Sequence, residues 1–379
     1  VNLLVIGRGY PEVETGLIGI FEYEQAEAVS KFYSDSVKIV YAFCDNRSIF
    51  RLRRFNSISR EDKSIFTYGK YFPIGGFPTS VFNKIKSKLS ITVLKKAIKK
   101  YGKPDIIHIH FPIITLTEEI WEYLISLKSK IVITEHYTRV QTKELTIQQI
   151  NLLKKISIQA DKFLCVNDIL PKVIKELTGV NREFIVVPNV VSSVFTNISE
   201  PNKDIYRFIA LGRLVKVKKF DLIIEAFSKR FKDNPNIELI IIGDGEEYEP
   251  LKKKVSSLKM ENKINLTGFL DREKTAKLLG KSNAYISAST VETFGVPVIE
   301  AMSCGKPVII ADTSPIKQYI NNARGLLFKV NNVDDLADKM EAMYKQRFNY
   351  NHRDISDYAE LNFSDEAVAK QLYSIYCDA

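Results

Sequence analysis

Short apolar runs alternate with amphipathic stretches along most of the chain. Residues 3–6 read as a strand, followed by a helix-like stretch over about 20–32 and a strand over 37–43. Further strands are expected at 106–110, 130–134, 163–166 and 184–187, with helical stretches between them, as at 116–127 and 148–160. Strands that alternate with helices predict a parallel sheet covered on both faces. Prolines, asparagines and serines over 188–202 break the rhythm and read as a linker. The theme then repeats, with strands at 207–211, 239–242, 264–267, 284–287 and 307–311. Helices are expected at 220–231, 248–258, 272–280, 297–304 and near 334–344, and a last helix over 364–376. This is an α/β chain of two doubly wound units. Such units bind ligands outside the carboxyl ends of their strands, and the pair predicts an interdomain cleft.

The length of 379 residues, at roughly 100–200 per domain, agrees with two or three domains. With 45% hydrophobic and 26% charged residues, the composition excludes disorder, collagen and coiled coil as descriptions of the whole chain. The longest apolar runs are strand-sized, far below the ~20 residues of a membrane span. The amino-terminal Val-Asn-Leu-Leu-Val-Ile-Gly reads as a first strand and not as a signal peptide. Cys44, Cys165, Cys304 and Cys377 have no pairing or metal spacing, which fits a reducing, cytoplasmic setting. The net charge of +10 is unevenly spread. Residues 1–195 hold 28 basic and 19 acidic side chains, whereas 196–379 hold 27 and 26. A one-sided basic field implies a polyanionic partner: a nucleic acid, an anionic lipid surface or a phosphorylated substrate.

The densest chemistry lies in Glu292-Thr-Phe-Gly-Val-Pro-Val-Ile-Glu300 and its continuation Ala301-Met-Ser-Cys-Gly305-Lys-Pro-Val. Gly295 lets backbone approach a ligand closely, and Pro297 suits the first turn of a helix. The amides of Phe294, Gly295 and Val296 would then point from a helix start toward an anion. Glu292 in the loop and Glu300 one turn into the helix can both accept hydroxyl groups from one ligand. Two isolated glutamates near a helix start would otherwise be complements to its dipole. Arg213 and Lys218 follow strand 207–211, and a forked guanidinium beside a point-charge ammonium suits a diphosphate. His136 follows strand 130–134. His108 and His110 alternate on one strand and read as structural residues of the core. Four histidines without a carboxylate at ligand spacing give no zinc site, and no Asp-x-Asp pair is present to bridge a metal to a diphosphate. Gly7-Arg8-Gly9 lacks the third glycine of a dinucleotide fingerprint, because residue 12 is Glu.

In order and spacing these elements resemble the family 4 retaining glycosyltransferases of the GT-B fold. Besides the Glu-x7-Glu run, the matching pieces are Leu211-Gly212-Arg213-Leu214 with Lys218 and Asp221, Ile242-Gly243-Asp244-Gly245, Leu266-Thr267-Gly268-Phe269 and Val187-Pro188-Asn189. In the first half they are Pro104-Asp105-Ile-Ile-His108-Ile-His110, Thr134-Glu135-His136 and Gly19-Ile20-Phe21 with Gln25 and Ala26. The resemblance implies an acceptor domain over 1–195, a nucleotide-sugar domain over 196–355, and a segment 356–379 that crosses back to the first domain. It assigns Arg213 and Lys218 to the donor diphosphate and Glu300 to the ribose. Glu292 and the 294–296 backbone fall on the sugar, and His136 near the reacting carbon. Gly16 and Gly243 are assigned to backbone approach near the donor. No metal or other cofactor is implied. Three positions depart from the pattern: Gly16-Leu-Ile-Gly19 replaces paired glycines, Lys219 replaces a glycine, and Thr313-Ser314-Pro315 replaces a second glycine pair.

The expected reaction is transfer of a hexose-type sugar from a nucleoside diphosphate donor, UDP before GDP, to a hydroxyl acceptor on a lipid-linked glycan. Residues 84–103 carry eight lysines and no acid, and Phe82, Ile85, Leu89, Val93, Leu94, Ala97, Ile98 and Tyr101 follow helical spacing. An amphipathic helix over 82–101, interrupted near Ser90, would present lysines to water or to an anionic membrane surface, with Arg51, Arg53 and Arg54 nearby in sequence. No nucleic-acid-binding motif is visible. An epimerase or phosphorylase on the same fold, and a silent partner subunit or basic surface-binding protein, are the other classes these features allow.

Overall fold

The computed structural model describes residues 1–12, 17–45, 56–62, 64–72, 77–196 and 204–379. Gly16, the arginines at 51, 53 and 54 and part of the linker lie outside the described residues. The chain divides into two compact units, one of residues 1–190 with 365–379 and one of residues 191–364.

The first unit opens with β1 (Asn2–Gly7), α1 (Ile20–Tyr33) and β2 (Lys38–Asp45). Next come β3 (Asn56–Asp62), β4 (Ile65–Tyr71) and the long α2 (Thr79–Tyr101). β5 (Ile106–His110), α3 (Pro112–Thr115), α4 (Glu118–Ser126) and β6 (Lys130–Glu135) follow. α5 (Thr138–Gln141), α6 (Ile147–Gln159), β7 (Lys162–Cys165), α7 (Ile169–Thr178) and β8 (Ile185–Val186) complete the run. Among the described residues the sheet order is β3-β4-β2-β1-β5-β6-β7-β8, parallel except for the antiparallel β3 at its edge. β1, β2, β5 and β6 are buried along nearly their whole length and mostly apolar because both of their faces are covered, the polar exceptions including His108, His110, Thr134 and Glu135. The β3–β4 pair was not anticipated. Its signal is period two, since Ile65, Thr67, Gly69 and Tyr71 are buried while Phe66, Tyr68 and Lys70 are only half-buried.

α2 is unbroken through Ser90, contrary to the expected interruption. Ser90 is 6% exposed on its buried face, and Ser87, one turn before it, donates its hydroxyl to the Asn83 carbonyl at 2.8 Å within the same helix.

The second unit holds β9 (Tyr206–Leu211), α8 (Phe220–Phe231), β10 (Ile237–Ile242), α9 (Tyr248–Ser257) and β11 (Ile264–Leu266). It continues with α10 (Arg272–Gly280), β12 (Ala284–Ser287), α11 (Val296–Ser303), β13 (Val308–Ala311), β14 (Gly325–Phe328), α12 (Val333–Lys345) and α13 (His352–Phe363). Among the described residues its strands are all parallel in the order β11-β10-β9-β12-β13-β14. Both units are Rossmann-like.

Two boundaries differ from the sequence expectation. Residues 191–195 belong to the second unit, where Phe195 is 2% exposed and its carbonyl accepts from the Cys304 thiol at 3.1 Å. The tail 356–379 is not one crossing segment. α13 packs on α11 within the second unit, with the Ser356 hydroxyl donating to the Ser303 carbonyl at 2.9 Å. The helix then stops at Ser364, whose extended conformation, with φ −62° and ψ 161°, ends the i→i+4 ladder. Only α14 (Asp365–Cys377) belongs to the first unit. There Tyr373 stacks on Tyr33 of α1 at 4.0 Å between ring centroids, and Lys31 pairs with Asp365 at 2.7 Å. Val368, Ala369 and Leu372 are fully buried in the same core as Val5 and Tyr41. Leu372→Ala is therefore expected to cost about 2–5 kcal/mol, read as a lower urea midpoint for the first unit. An unchanged midpoint would contradict this packing.

Candidate functional site

In each sheet the strand order reverses once beside the first strand, between β1 and β5 in one unit and between β9 and β12 in the other. Crevices form at the carboxyl ends of strands at such points. The singled-out residues of each unit lie there.

In the second unit the segments leaving β9 and β10 are tied by backbone bonds. Gly212 N–H donates to Ile242 O at 3.0 Å, Leu214 N–H to Asp244 O at 2.9 Å, and Glu247 N–H to Leu214 O at 3.0 Å. Gly243 makes this contact possible. Its φ is 146°, and a Cβ there would stand 1.9 Å from the Gly212 carbonyl oxygen. Lys218 closes a short 3-10 turn, Lys216–Lys218, after β9. That turn is pinned to the segment after β12, because Thr290 donates both its N–H and its hydroxyl to Val217 O, at 2.9 and 3.2 Å. The pinning brings Lys218 Nζ onto Glu292 as a half-buried ion pair. Lys219, where the family pattern has glycine, adopts the left-handed conformation with φ 54°, so the backbone shape is kept at some cost in strain. Arg213 is exposed.

Gly295 caps α11 with φ 99°, and Pro297 sits in the first turn. The Phe294 side chain is 3% exposed and packs edge-on against Phe363, so only its backbone can reach a ligand. Glu300 is nearly buried, with the Arg272 guanidinium 3.5 Å away. Burial first, then the charges of Glu292 and Glu300, hold the Tyr285 hydroxyl well above its ordinary pKa, which places both carboxylates around one side chain.

In the first unit Arg8, at the end of β1, makes a forked pair with Glu22 of α1, Nε to Oε1 at 2.7 Å and Nη2 to Oε2 at 3.2 Å. Its guanidinium lies 3.3 Å over the centroid of Phe111. Phe111, directly after β5, has φ 50°, a strained conformation for a bulky residue. Its ring stacks on His136 at 4.5 Å and 13°. His136 Nε2 lies 3.0 Å from His110 Nδ1. His110, expected as a packing residue, is thus a direct partner of His136. His108 is satisfied on both nitrogens, by Tyr376 and Thr134 at 2.7 Å each. Burial first, and then neighbouring positive groups, push all three histidines well below the ordinary range, so they are neutral at physiological pH. Arg8 and Phe111 were missed by the sequence reading. The available signal was a cation and an aromatic each directly following a strand.

Glu135 is fully buried. Its Oε1 accepts the N–H groups of His136 and Tyr137 at 2.9 and 2.8 Å, while Oε2 has no partner. Burial pushes its carboxyl up to about 8. Among the described residues no three His, Cys, Asp or Glu side chains group as metal ligands. The folded state therefore holds the Glu135 proton across a range in which the unfolded chain, with an ordinary value of 4.5, releases it. Stability from this group is present at low pH and declines as pH rises toward about 8, by at most about 1.4 kcal/mol per pH unit. Urea titrations at pH 5 and pH 8 should show Glu135→Gln gaining stability relative to the unmodified protein at the higher pH. Parallel shifts in the two proteins would refute it.

Residues 194–361 match the family described as Glycosyl transferases group 1, and residues 57–195 match Glycosyltransferase Family 4. The N-acetyl-alpha-D-glucosaminyl L-malate synthase of Bacillus anthracis is 26% identical over 79% of this chain and 81% of its own. The phosphatidylinositol N-acetylglucosaminyltransferase GPI3 subunit of Saccharomyces cerevisiae is 24% identical over 62% of this chain, which spans about half (54%) of that relative. Sucrose-phosphate synthase from Thermosynechococcus elongatus superposes over 100% of this chain and 98% of its own, with TM-score 0.76 and 16% identity. Anabaena HepE in complex with UDP does so over 100% of both chains, with TM-score 0.72 and 14% identity. At these identities the structural likenesses establish the fold alone.

Proposed function

The chain belongs to glycosyltransferase family 4 and has the GT-B fold, and from that premise we propose that it is a retaining hexosyltransferase using a nucleoside diphosphate sugar, UDP before GDP. The observation that carries the reading is the Lys218–Glu292 pair at the strand-order reversal of the second unit, beside exposed Arg213 and the start of α11. Arg213 and Lys218 receive the diphosphate. Glu292 and the backbone N–H groups of Phe294, Gly295 and Val296 hold the sugar hydroxyls, and Glu300 takes the ribose hydroxyls. Gly243 keeps the loops behind the diphosphate in contact, Gly16 is assigned to backbone approach at the donor, and His136 is assigned to the sugar near its reacting carbon. The carbon–oxygen bond from the anomeric carbon to the diphosphate breaks, and the acceptor oxygen bonds to that carbon on the same face. The acceptor proton passes to the departing phosphate oxygen. Charge stabilisation of the leaving diphosphate by Arg213 and Lys218 is the main catalytic contribution.

The names of two relatives carry an N-acetylglucosaminyl group, which supports an N-acetylhexosamine or another hexose-type sugar. A UDP complex of a structural neighbour supports the base. A lipid-linked glycan acceptor at an anionic membrane surface agrees with α2, where Lys84, Lys88, Lys95, Lys96, Lys99 and Lys100 are exposed. Each basic residue near an anionic leaflet contributes about 1 kcal/mol. No described helix is long and apolar enough to cross a membrane; the attachment proposed through this face is peripheral.

Calorimetry is expected to show micromolar UDP binding, weaker GDP binding and no requirement for magnesium. Lys218→Ala and Glu292→Ala should each reduce transfer on the order of a hundredfold or more, with melting temperature nearly unchanged. Near-normal transfer in either variant would remove these role assignments, and sugar-nucleotide conversion without an acceptor would identify an epimerase instead. Vesicles containing anionic lipid should retain the protein at low salt and release it at high salt. Equal retention on neutral vesicles would defeat the electrostatic assignment.

A further inference from the structure

Phe111 leaves β5 with φ 50° and ψ 56°, a left-handed conformation that is costly for a bulky residue. Such strain persists where surrounding contacts over-determine it. The ring of Phe111 supplies those contacts. The His136 imidazole lies against it, 4.5 Å between centroids and 13° from parallel. The Arg8 guanidinium lies over it, 3.3 Å from the centroid. At these distances the two groups cannot share one face, so the ring is held between them. Arg8 is itself fixed, because Nε and Nη2 fork onto the buried carboxylate of Glu22. A planar guanidinium can fork onto a carboxylate and lie flat on a ring at once, which an ammonium cannot do.

His136 is also held at its backbone and at one ring nitrogen. Its N–H donates to Glu135 Oε1 at 2.9 Å, and Nε2 lies 3.0 Å from His110 Nδ1. Nδ1 makes no hydrogen bond within the unit. Burial first, and then the Arg8 charge, oppose a proton on the ring, while the Asn189 side chain favours one. The other titratable groups about His136 are uncharged at neutral pH. His108 and His110 of β5 are neutral, and Glu135 of β6 keeps its proton up to about 8.

We propose that Arg8 is a positioning residue for His136 in the transfer reaction, acting through the Phe111 ring. It braces the strained ring flat against the imidazole and so sets the plane in which Nδ1 meets a hydroxyl of the donor sugar. Its charge keeps that imidazole a hydrogen-bonding group and not a cation. Packing alone would ask only for bulk at 111, neither for an aromatic face in a left-handed conformation nor for a forked cation behind it. The proposal rests on the transferase reading, which assigns His136 to the sugar.

The test joins two measurements. One is nuclear magnetic resonance of protein isotope-labelled at its histidine nitrogens, of which four residues contribute signals. The other is UDP release from UDP-glucose and UDP-N-acetylglucosamine, with water as the acceptor. Arg8→Met/Glu22→Gln removes both charges of the fork together. In it the His136 signal should shift and begin to protonate about one pH unit higher than in the unmodified chain. Its kcat for UDP release should fall about tenfold or more, with KM and UDP affinity within about twofold. Phe111→Leu keeps apolar bulk and should lose kcat to the same extent, whereas Phe111→Tyr keeps the ring and should retain it. The Phe111 pair decides the question should the double variant not fold. An unchanged His136 signal and titration in the double variant overturns the proposal. So does equal kcat in Phe111→Leu and Phe111→Tyr. Absence of UDP binding and of UDP release would instead overturn the transferase reading, and the His136 signal would still decide whether Arg8 positions that ring.

Discussion

In each sheet two neighbouring parallel strands send their chains in opposite directions across the sheet. Right-handed crossovers then carry the following helices to opposite faces, so no helix covers the space directly beyond the two carboxyl ends. β1 and β5 are such a pair, and β9 and β12 are another. Arg8, His110 and Phe111 come from the first pair, and Lys218 and Glu292 from the second. The strand order thus creates two rows of strand ends that no crossover helix covers, and the side chains with unusual electrostatics are attached there. The rest of the fold, including the apolar faces of α8, α11 and α12, keeps those rows in register.

The two rows differ in electrostatic character. In the second unit the groups are charged and partly wet, with a half-buried lysine–glutamate pair and an exposed arginine. That suits a ligand which brings its own charge and displaces water. In the first unit the histidines are neutral and buried, and Glu135 keeps its proton up to about pH 8. The charge that remains belongs to Arg8 and is matched by Glu22. A low-charge polar cluster suits hydroxyl recognition, where hydrogen-bond direction matters more than field strength.

The repeating strands and helices of both units were legible because central parallel strands are mostly apolar and their helices are amphipathic. The carboxylates at 292 and 300 and the cations at 213 and 218 were legible as residue types at motif spacing. Their partners were not. Nothing local tells that Thr290 would tie Val217 in place and so seat Lys218 on Glu292, because those contacts join strands that are neighbours only in the finished sheet. The same holds for the Arg8–Phe111–His136 stack, which joins β1, β5 and β6. The β3–β4 pair was overlooked because its alternation includes Thr67 and Gly69, which a count of apolar positions does not register. The last helix was read from 364, but the crossing segment was begun at 356 because α13, which precedes the break at Ser364, was not anticipated.

The placement of α14 bears on how the chain becomes a protein as it is made. The first 190 residues emerge from the ribosome early, yet their core still lacks Val368, Leu372 and Tyr376. Tyr376 also supplies the partner of His108, deep under the polar cluster. Until residues 365–377 are synthesised, the apolar side of α1 and one nitrogen of a buried histidine stay unmatched. Of these two units, the one begun earlier is then the later to close, and the second unit can finish folding while the first still waits.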